Sequence, residues 1–440
     1  MDKHIHNALI RLAVPTRVKL VKKIAARQDW GAERIKEYQE RKLQKILAYC
    51  WQNVPFYKQH WQNAGVDPLS IKTIEGLQQL PLLTKEHVRQ NLEGLTTRDS
   101  AIKYSEARTG GSTGSPVVFR MTDFDEQMSW AQMYTGWIWA GYTIGAPFLV
   151  VGGESVGAGL TDKRTLKDKI MNRWATSGSN LTLERTRRLS ESAHFNTVEL
   201  MYGYPNAIKE LGEFLEVLGK KPMRLKGIVC TAEVMRVEVR ERIEQIFGVK
   251  VLDQYGLNDG GLHACESAEQ DGFNLSFHRG ILEILDSNDI QITSHSEPGR
   301  AIATCFTNFA MPFIRYETGD KLNWAKPSQA RQTNWNKLGP IDGRTGDILN
   351  LPSGRVITMP GLTLVMRWLD GLEQYQFVQK AVDFVEVRLV FYSEAVPDEQ
   401  KILTYLKSKI ADEVTWSIVF DEPIKTKNGK VLIIKNELLR

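Results

Sequence analysis

The chain of 440 residues is too long for one ordinary hydrophobic core, so it predicts two or three domains. Hydrophobic residues make up 42% and charged residues 25%, which is usual for a soluble globular protein. The net charge of +5 is too small to favour nucleic acid as a partner.

The cysteines and the hydrophobic runs predict a cytoplasmic protein. The first 14 residues mix His, Lys and Arg with apolar residues and do not resemble a secretory signal. No stretch reaches the roughly 18 apolar residues of a membrane-spanning helix, because the nearest one, 137–153, contains glycines and a proline. The four scattered cysteines form no Cys-x-x-Cys pair and predict no disulfides: Cys50, Cys230, Cys265 and Cys305.

Residues 1–30 combine basic residues with Leu, Val and Ile, the basic ones including Arg11, Arg17, Lys19, Lys22, Lys23 and Arg27. This pattern is compatible with a basic amphipathic helix on an anionic membrane. The alternative, which we favour, is a solvated helix packed on the body of the protein, begun or interrupted at Pro15. Apolar spacing predicts further helices at 41–49 and 124–139.

A loop rich in glycine and hydroxyl residues follows the first helices. Glycine lets backbone N–H groups approach an anion closely, and the hydroxyls add donors for phosphate oxygens. No Gly-Lys-Ser/Thr ends the loop and a strand follows it, so it is not a Walker A loop. An ordinary surface turn remains the alternative. The loop consists of Thr109, Gly110, Gly111, Ser112, Thr113, Gly114, Ser115 and Pro116.

Strands and helices alternate between residues 148 and 257, which predicts an α/β fold with a mainly parallel sheet. Ligands of such sheets bind at the carboxyl ends of the strands. Three polar phrases fall there, namely 202–205, 231–233 and 255–259. Residues 160–190 show little strand pattern, and we expect helix, exposed loop and no functional residue in them.

From residue 273 onward short strands predict a β-rich subdomain, and a compact α/β unit follows a polar, glycine-bearing link. We therefore expect a large domain at 1–346 and a small α/β domain at 347–440.

These motifs, in this order, resemble the adenylate-forming (acyl-activating) enzymes, in particular the phenylacetate–CoA ligase and CapK-like branch. The resemblance extends from about residue 41 to the C-terminus. It includes the 109–116 loop, a "P-x-x-x-K" phrase ending at Lys85, and the "R-Y-x-T-G-D" phrase ending at Asp320. The resemblance implies ATP or AMP and Mg²⁺ as ligands, with the loop, Thr113 above all, contacting the phosphates. It also implies that the large domain at 1–346 binds the nucleotide and the acyl group, and that the small domain at 347–440 is a mobile lid.

Within the phrase 255–259, Tyr255 is expected to stack on adenine, with Gly256 and Asn258 beside the nucleotide. Asp259 stands where the family has glutamate, and Asn258 where it has Ser or Thr. Asp259 is expected to bind Mg²⁺. A turn built on Asn-Asp-Gly-Gly is the alternative.

The remaining site residues also come from the resemblance. Asp320 is expected to accept hydrogen bonds from the ribose hydroxyls, and Arg344 to contact ribose or phosphate, with Asp347 as the hinge. Ala232 and Glu233 resemble a segment that lines the adenine and acyl pockets. Lys430, near the C-terminus, is expected to bridge the carboxylate and the α-phosphate as a mobile cation.

CapK-like relatives often hold a zinc ion, but the matching positions here are Ser267 and Asn274. The remaining Cys and His residues do not reproduce zinc spacing, and we expect no structural zinc.

The sequence therefore predicts a ligase that converts a carboxylic acid to acyl-AMP and transfers the acyl group. The acceptor, CoA or an amine, and the oligomeric state stay open. The CapK-like character suggests surface-polysaccharide assembly by analogy. Two alternatives remain: a non-catalytic nucleotide-binding scaffold, and weak membrane association through the basic N-terminus.

Overall fold

The computed structural model describes most of the chain. The described residues are 3–108, 117–152, 164–178, 181–222, 224–235, 237–326, 333–341, 348–358, 362, 365–366, 369, 372–391, 398–420 and 433–439.

The N-terminal third is helical. Pro15 occupies the first turn of the second helix, where its missing N–H is not needed. That helix buries its apolar side against the long helix α7, and Arg17 Nε donates to Gln127 Oε1 at 3.0 Å. These residues therefore pack on the body of the protein, as favoured above. The helices are α1 Lys3–Ala13, α2 Pro15–Ala25, α3 Ala32–Asn53, α4 Pro55–Asn63, α5 Lys85–Gln90, α6 Leu92–Leu95 and α7 Asp123–Trp139.

The described residues form an eight-stranded sheet at the centre of the protein, in the order β13-β9-β8-β7-β6-β5-β3-β4. Strands β3 to β7 are parallel, and β8, β9 and β13 continue the sheet in antiparallel fashion. Its strands are β3 Phe148–Gly152, β4 Arg173–Ser177, β5 Leu200–Gly203, β6 Gly227–Thr231, β7 Val251–Leu257, β8 Leu262–Glu266, β9 Phe273–Leu275 and β13 Lys337–Leu338. Between them lie α8 Leu166–Ile170, α9 Leu183–Glu191, α10 Pro205–Val217 and α11 Val237–Phe247.

Two smaller sheets stand beside the large one. A hairpin flanks the predicted phosphate loop, and a three-stranded antiparallel sheet forms the β-rich part. The last of these strands begins at Tyr316 and runs to Leu322. These strands are β1 Ser105–Arg108, β2 Val118–Met121, β10 Gly280–Leu285, β11 Gly299–Cys305 and β12 Tyr316–Leu322.

The C-terminal residues have a hydrophobic core of their own, centred on Phe377, Val387 and Leu406. Its elements are β14 Ile348–Asn350, β15 Val356–Thr358, β16 Leu372–Ala381, β17 Phe384–Phe391, α12 Glu399–Lys409, β18 Thr415–Val419 and β19 Ile434–Asn436. Arg355 in this part lies 3.4 Å from Glu210 of α10. The predicted boundary at 346/347 falls outside the described residues and stays a prediction.

The predicted α/β class is confirmed, since a large, mainly parallel sheet stands beside smaller β-rich sheets. The expectation for 160–190 was wrong in one respect, because Arg173–Ser177 is a strand. It pairs along its whole length with β3 and thus extends the sheet. Among the described residues, no helix has the length and apolarity needed to cross a bilayer.

His278 gives the fold a testable pH dependence. Burial lowers its pKa from 6.5 to about 3, and Arg27 adds to the effect, so the folded protein keeps it neutral. The unfolded chain binds this proton below pH 6.5, so the folded state loses about 1.4 kcal/mol of stability per pH unit between pH 6.5 and 3. His278→Gln removes this loss.

Chemical denaturation of both proteins at pH 7 and pH 5 measures the effect. The free energy of unfolding of the wild type should fall by about 2 kcal/mol more than that of the variant. Equal losses in the two proteins would contradict a buried neutral His278.

Candidate active site

The three polar phrases predicted at one edge of the sheet do lie together there. Strands β5, β6 and β7 are neighbours and parallel, with Gly203 opposite Cys230 and Thr231 opposite Gln254. The segments that follow these strands therefore leave the sheet on the same side. Glu233 accepts hydrogen bonds from Asn206, at 2.8 Å from the side-chain amide and 3.4 Å from the backbone N–H. This contact joins the phrase after β6 to the start of α10.

Ala232 has a left-handed backbone conformation, with φ of 69°. For a residue with a Cβ this conformation costs free energy and persists only where the surroundings hold it. The strained turn immediately follows β6 and orients Glu233. Such outliers cluster at functional sites, which supports this segment as part of the site.

The predicted adenine platform and the predicted ribose ligand are in direct contact. The Tyr255 hydroxyl donates a 2.9 Å hydrogen bond to Asp320 Oδ2. Tyr255 belongs to β7 of the large sheet and Asp320 to β12 of the three-stranded sheet. Both side chains are only half-buried, so both remain accessible to a ligand. Gly256 and Asn258 are exposed beside them, and the Ser129 hydroxyl donates to Asn258 Oδ1 at 2.7 Å.

Asp259 is buried four residues after Tyr255. Burial raises the pKa of its carboxyl group and nearby Asp320 raises it further, while Lys85 and Tyr316 act in the opposite direction. The two carboxylates therefore repel each other, and Lys85 lies close enough to stabilise the ionised form. Asp259 and Asp320 thus share one electrostatic site.

Lys85 reaches this site through backbone pairing. Leu83 N–H donates to the carbonyl of Arg315 at 2.9 Å, and Glu317 N–H donates to the carbonyl of Leu83 at 2.9 Å. Arg315 forms a buried ion pair with Glu283 at 3.0 Å and donates to the Leu80 carbonyl at 2.6 Å. The arginine of the "R-Y-x-T-G-D" phrase therefore fixes the chain segment that carries Lys85.

A second buried ion pair supports the loop of Asp259 itself. Arg279 binds both carboxylate oxygens of Asp125 at 2.8 and 2.6 Å, and both side chains are 1% exposed. Arg279 also donates to the backbone carbonyl of Asn258 at 2.7 Å. It therefore positions the residue immediately before Asp259. This pair could not be predicted from the sequence, because 154 positions separate its members and no motif marks them.

Part of the predicted site has no structural description. The loop residues Thr109, Gly110, Gly111, Ser112, Thr113 and Gly114 lie outside the described residues, as do Arg344 and Lys430. The residues that the structure does describe contain no group of three or more His, Cys, Asp or Glu side chains able to hold a metal ion. Asp259 as a magnesium ligand stays a prediction.

Comparisons with known proteins show which folds and sequences this chain is similar to. No family model matches the chain. Its fold is similar to that of 2-hydroxyisobutyryl-CoA ligase in complex with 2-HIB-AMP and CoA. The TM-score is 0.64 at 18% identity, and the match covers 94% of this chain and 92% of that one. The fold is thus that of the adenylate-forming ligases.

Proteins similar in sequence indicate which branch of these ligases the chain resembles. The chain is 24% identical to protein CapK of Staphylococcus aureus over 383 residues, which cover 85% of this chain and 82% of that protein. It is 23% identical to phenylacetate–coenzyme A ligase of Thermus thermophilus over 407 residues, which cover 89% and 86% of the two chains. The chain is therefore similar in sequence to the phenylacetate–CoA ligase and CapK-like branch of the adenylate-forming enzymes, which confirms the resemblance that the motifs indicated.

The Arg279–Asp125 pair predicts a large effect of Asp125→Asn on stability. The substitution leaves the buried guanidinium without its counter-charge, which costs about 3–5 kcal/mol of unfolding free energy. Glu216→Gln is the matched control, because its ion pair with Arg242 is partly exposed and contributes at most about 1 kcal/mol. Urea denaturation of the three proteins compares them. Similar midpoints for the two variants would exclude a supporting role for the pair.

Proposed function

We propose that the protein activates a carboxylic acid with ATP and transfers the acyl group to coenzyme A. The observation that supports this most strongly is the contact of Tyr255 with Asp320, with Asp259 and Lys85 close by. The chain gathers there an aromatic face for adenine, a carboxylate for ribose hydroxyls and charges for phosphate chemistry. The phosphate loop, Arg344 and Lys430 enter the proposal from the sequence.

In the first half-reaction, a carboxylate oxygen of the acid attacks the α-phosphorus of ATP. The bond from that phosphorus to the bridging oxygen breaks, and pyrophosphate leaves. Both reactants are anions, so the protein must reduce their repulsion and stabilise the charge on phosphorus. Lys430 would do so from the C-terminal part, and Lys85 would add positive charge from α5.

In the second half-reaction, the sulfur of CoA attacks the acyl carbon and AMP leaves. A rotation of the C-terminal domain about Asp347 would move Lys430 out of the site and let CoA enter it. This rotation and the domain division at 346/347 belong to the proposal.

Asp259 suits the magnesium ion that the proposal requires. Its carboxyl is buried and its pKa is raised by burial and by Asp320, so a nearby divalent cation would favour the ionised form. Mg²⁺ commonly binds through one or two carboxylates together with phosphate oxygens. Once bound, it would neutralise charge on the phosphates of ATP.

Pyrophosphate release with a panel of carboxylic acids tests the proposal. At least one acid should support ATP-dependent release by the wild type, and Lys430→Ala should reduce its rate by about 10²–10³-fold. Lys427→Ala, in the same lysine-rich stretch of sequence, is the matched control and should retain the activity. Nucleotide binding without release for any acid would instead favour a non-catalytic nucleotide-binding scaffold.

Asp320→Asn tests the ribose assignment separately. A hydrogen bond to a charged group contributes about 1.5–3 kcal/mol, so kcat/KM for ATP should fall about 10–100-fold. Asp412→Asn, at an exposed position outside the site, should leave kcat/KM unchanged. If Asp320→Asn also leaves it unchanged, Asp320 does not bind the nucleotide.

The acceptor and the cellular role are finer parts of the proposal. CoA is the first candidate acceptor because the chain's relatives include phenylacetate–coenzyme A ligases. Amines and amino sugars are the alternative, in keeping with a role in surface-polysaccharide assembly and with cytoplasmic location. Adding each acceptor to the pyrophosphate assay and identifying the acyl product by mass spectrometry distinguishes them.

A further inference from the structure

A cavity of about 540 Å³ lies at the opposite edge of the large sheet. Its lining includes Pro147 before β3, Trp174 at the second position of β4, Glu199 before β5 and Arg224 before β6. It is therefore formed at the amino ends of the parallel strands, whereas the candidate active site lies at their carboxyl ends. Strands of five residues separate the two by about 16 Å. The cavity is a second, separate site.

The cavity carries an excess of positive charge. Lys3, Arg164, Lys169 and Arg224 all line it, together with His6 and His194. Glu199 is the acidic residue among the described lining residues, and it forms an ion pair with Lys226 at 2.7 Å. The neighbouring Asp168 forms an ion pair with Arg173 at 2.5 Å. Among the described residues, the four lining Lys and Arg therefore outnumber the lining Glu199 and its neighbour Asp168.

Arg164 is fixed in place, unlike a mobile surface cation. Its Nε donates to the carbonyl of Arg173 at 2.8 Å, and a terminal nitrogen donates to the carbonyl of Asp168 at 3.0 Å. Its guanidinium lies 3.8 Å from the centre of the Trp174 ring. These contacts orient the group, and burial lowers its pKa, an effect that the nearby Asp168 carboxylate opposes. A guanidinium oriented in this way is suited to bind phosphate or carboxylate oxygens.

His194 completes the wall beside Trp174, with the two ring centres 4.6 Å apart. Burial lowers the pKa of His194, and the positive charge of Arg164 lowers it further. An anion in the cavity would reverse the second effect by screening Arg164. The two rings, tilted by 35°, thus form one aromatic wall of the cavity that the cations also line.

The cations come from segments that are distant in sequence. Lys3 is on α1 and Lys169 on α8, and these helices are held together by the contact of His6 Nδ1 with the Ile170 carbonyl at 3.2 Å. Arg224 belongs to the segment before β6. The fold thus brings cations from three separate segments to the wall of one cavity.

We propose that this cavity binds an anion that carries a phosphate group. Several fixed or convergent cations around an aromatic wall select charge and shape, and a doubly charged phosphate satisfies more of them than a carboxylate does. A free phosphorylated metabolite and the headgroup of an anionic phospholipid share this chemistry. The proposal is independent of the function proposed for the carboxyl-edge site.

Titration of the full-length protein with inorganic phosphate at constant ionic strength tests it. Calorimetry should show saturable binding by the wild type. Lys169→Gln combined with Arg224→Gln should weaken this binding at least tenfold, because two charge-assisted contacts are lost. The control, Lys220→Gln with Lys221→Gln, removes the same charge from nearby exposed positions outside the cavity and should change the affinity less than twofold.

The two sources of phosphate are separated by flotation with phosphatidylcholine vesicles, with and without phosphatidic acid. Binding that requires phosphatidic acid and is lost in the Lys169/Arg224 double variant identifies a lipid headgroup. Phosphate binding without flotation identifies a free metabolite. Equal behaviour of the double variant and its control, or no saturable binding by the wild type to either probe, would overturn the proposal.

A failure of this proposal is distinguishable from a failure of the proposed ligase activity. Neither Lys169 nor Arg224 lies at the carboxyl edge of the sheet, so the double variant should retain any acid-dependent pyrophosphate release seen in the wild type. Its thermal melting curve, compared with that of the control, confirms that a loss of binding does not reflect unfolding.

Discussion

The hydrogen bond between the Tyr255 hydroxyl and the Asp320 carboxylate joins two sheets, and the geometry of the candidate site depends on it. Tyr255 stands near the end of β7, so the turn with Asp259 follows it immediately. Asp320 stands on β12, whose first residues pair with the segment that leads to Lys85. One contact between the sheets thus brings the aromatic ring, two carboxylates and one lysine into the same place.

The surrounding charges place this arrangement under electrostatic strain. Asp259 is buried near Asp320, and burial together with the Asp320 carboxylate disfavours ionisation of Asp259. Tyr316, beneath them, has its pKa raised by burial and by both carboxylates. A protein whose only task was to be stable would gain little from such a cluster, since burying a carboxylate near a second carboxylate costs free energy. Ribose hydroxyls and a divalent cation would relieve the repulsion, which is consistent with the proposed ligands.

The sequence predicted those parts of the structure that have local signals. Helix α10 falls within the predicted alternation of strands and helices, since Pro205 suits its first turn and its apolar residues follow helical spacing. Strand β4 escaped notice because Arg173–Ser177 contains no aliphatic residue except Ala175; it is a strand because it pairs with β3. The Arg279–Asp125 pair and the cavity of cations depend on contacts between distant segments, which no local pattern encodes. Motif order indicated Asp320 and Tyr255, but only the fold relates Lys85 to Asp259.

A crystal structure with a non-hydrolysable acyl-adenylate analogue tests the central claim most directly. Our account predicts the adenine ring against Tyr255, both ribose hydroxyls within hydrogen-bonding distance of the Asp320 carboxylate, and the phosphate mimic on the side of Asp259 and Lys85. Binding of the analogue elsewhere, with the hydrogen bond between Tyr255 and Asp320 intact and no ligand beside it, would contradict the account.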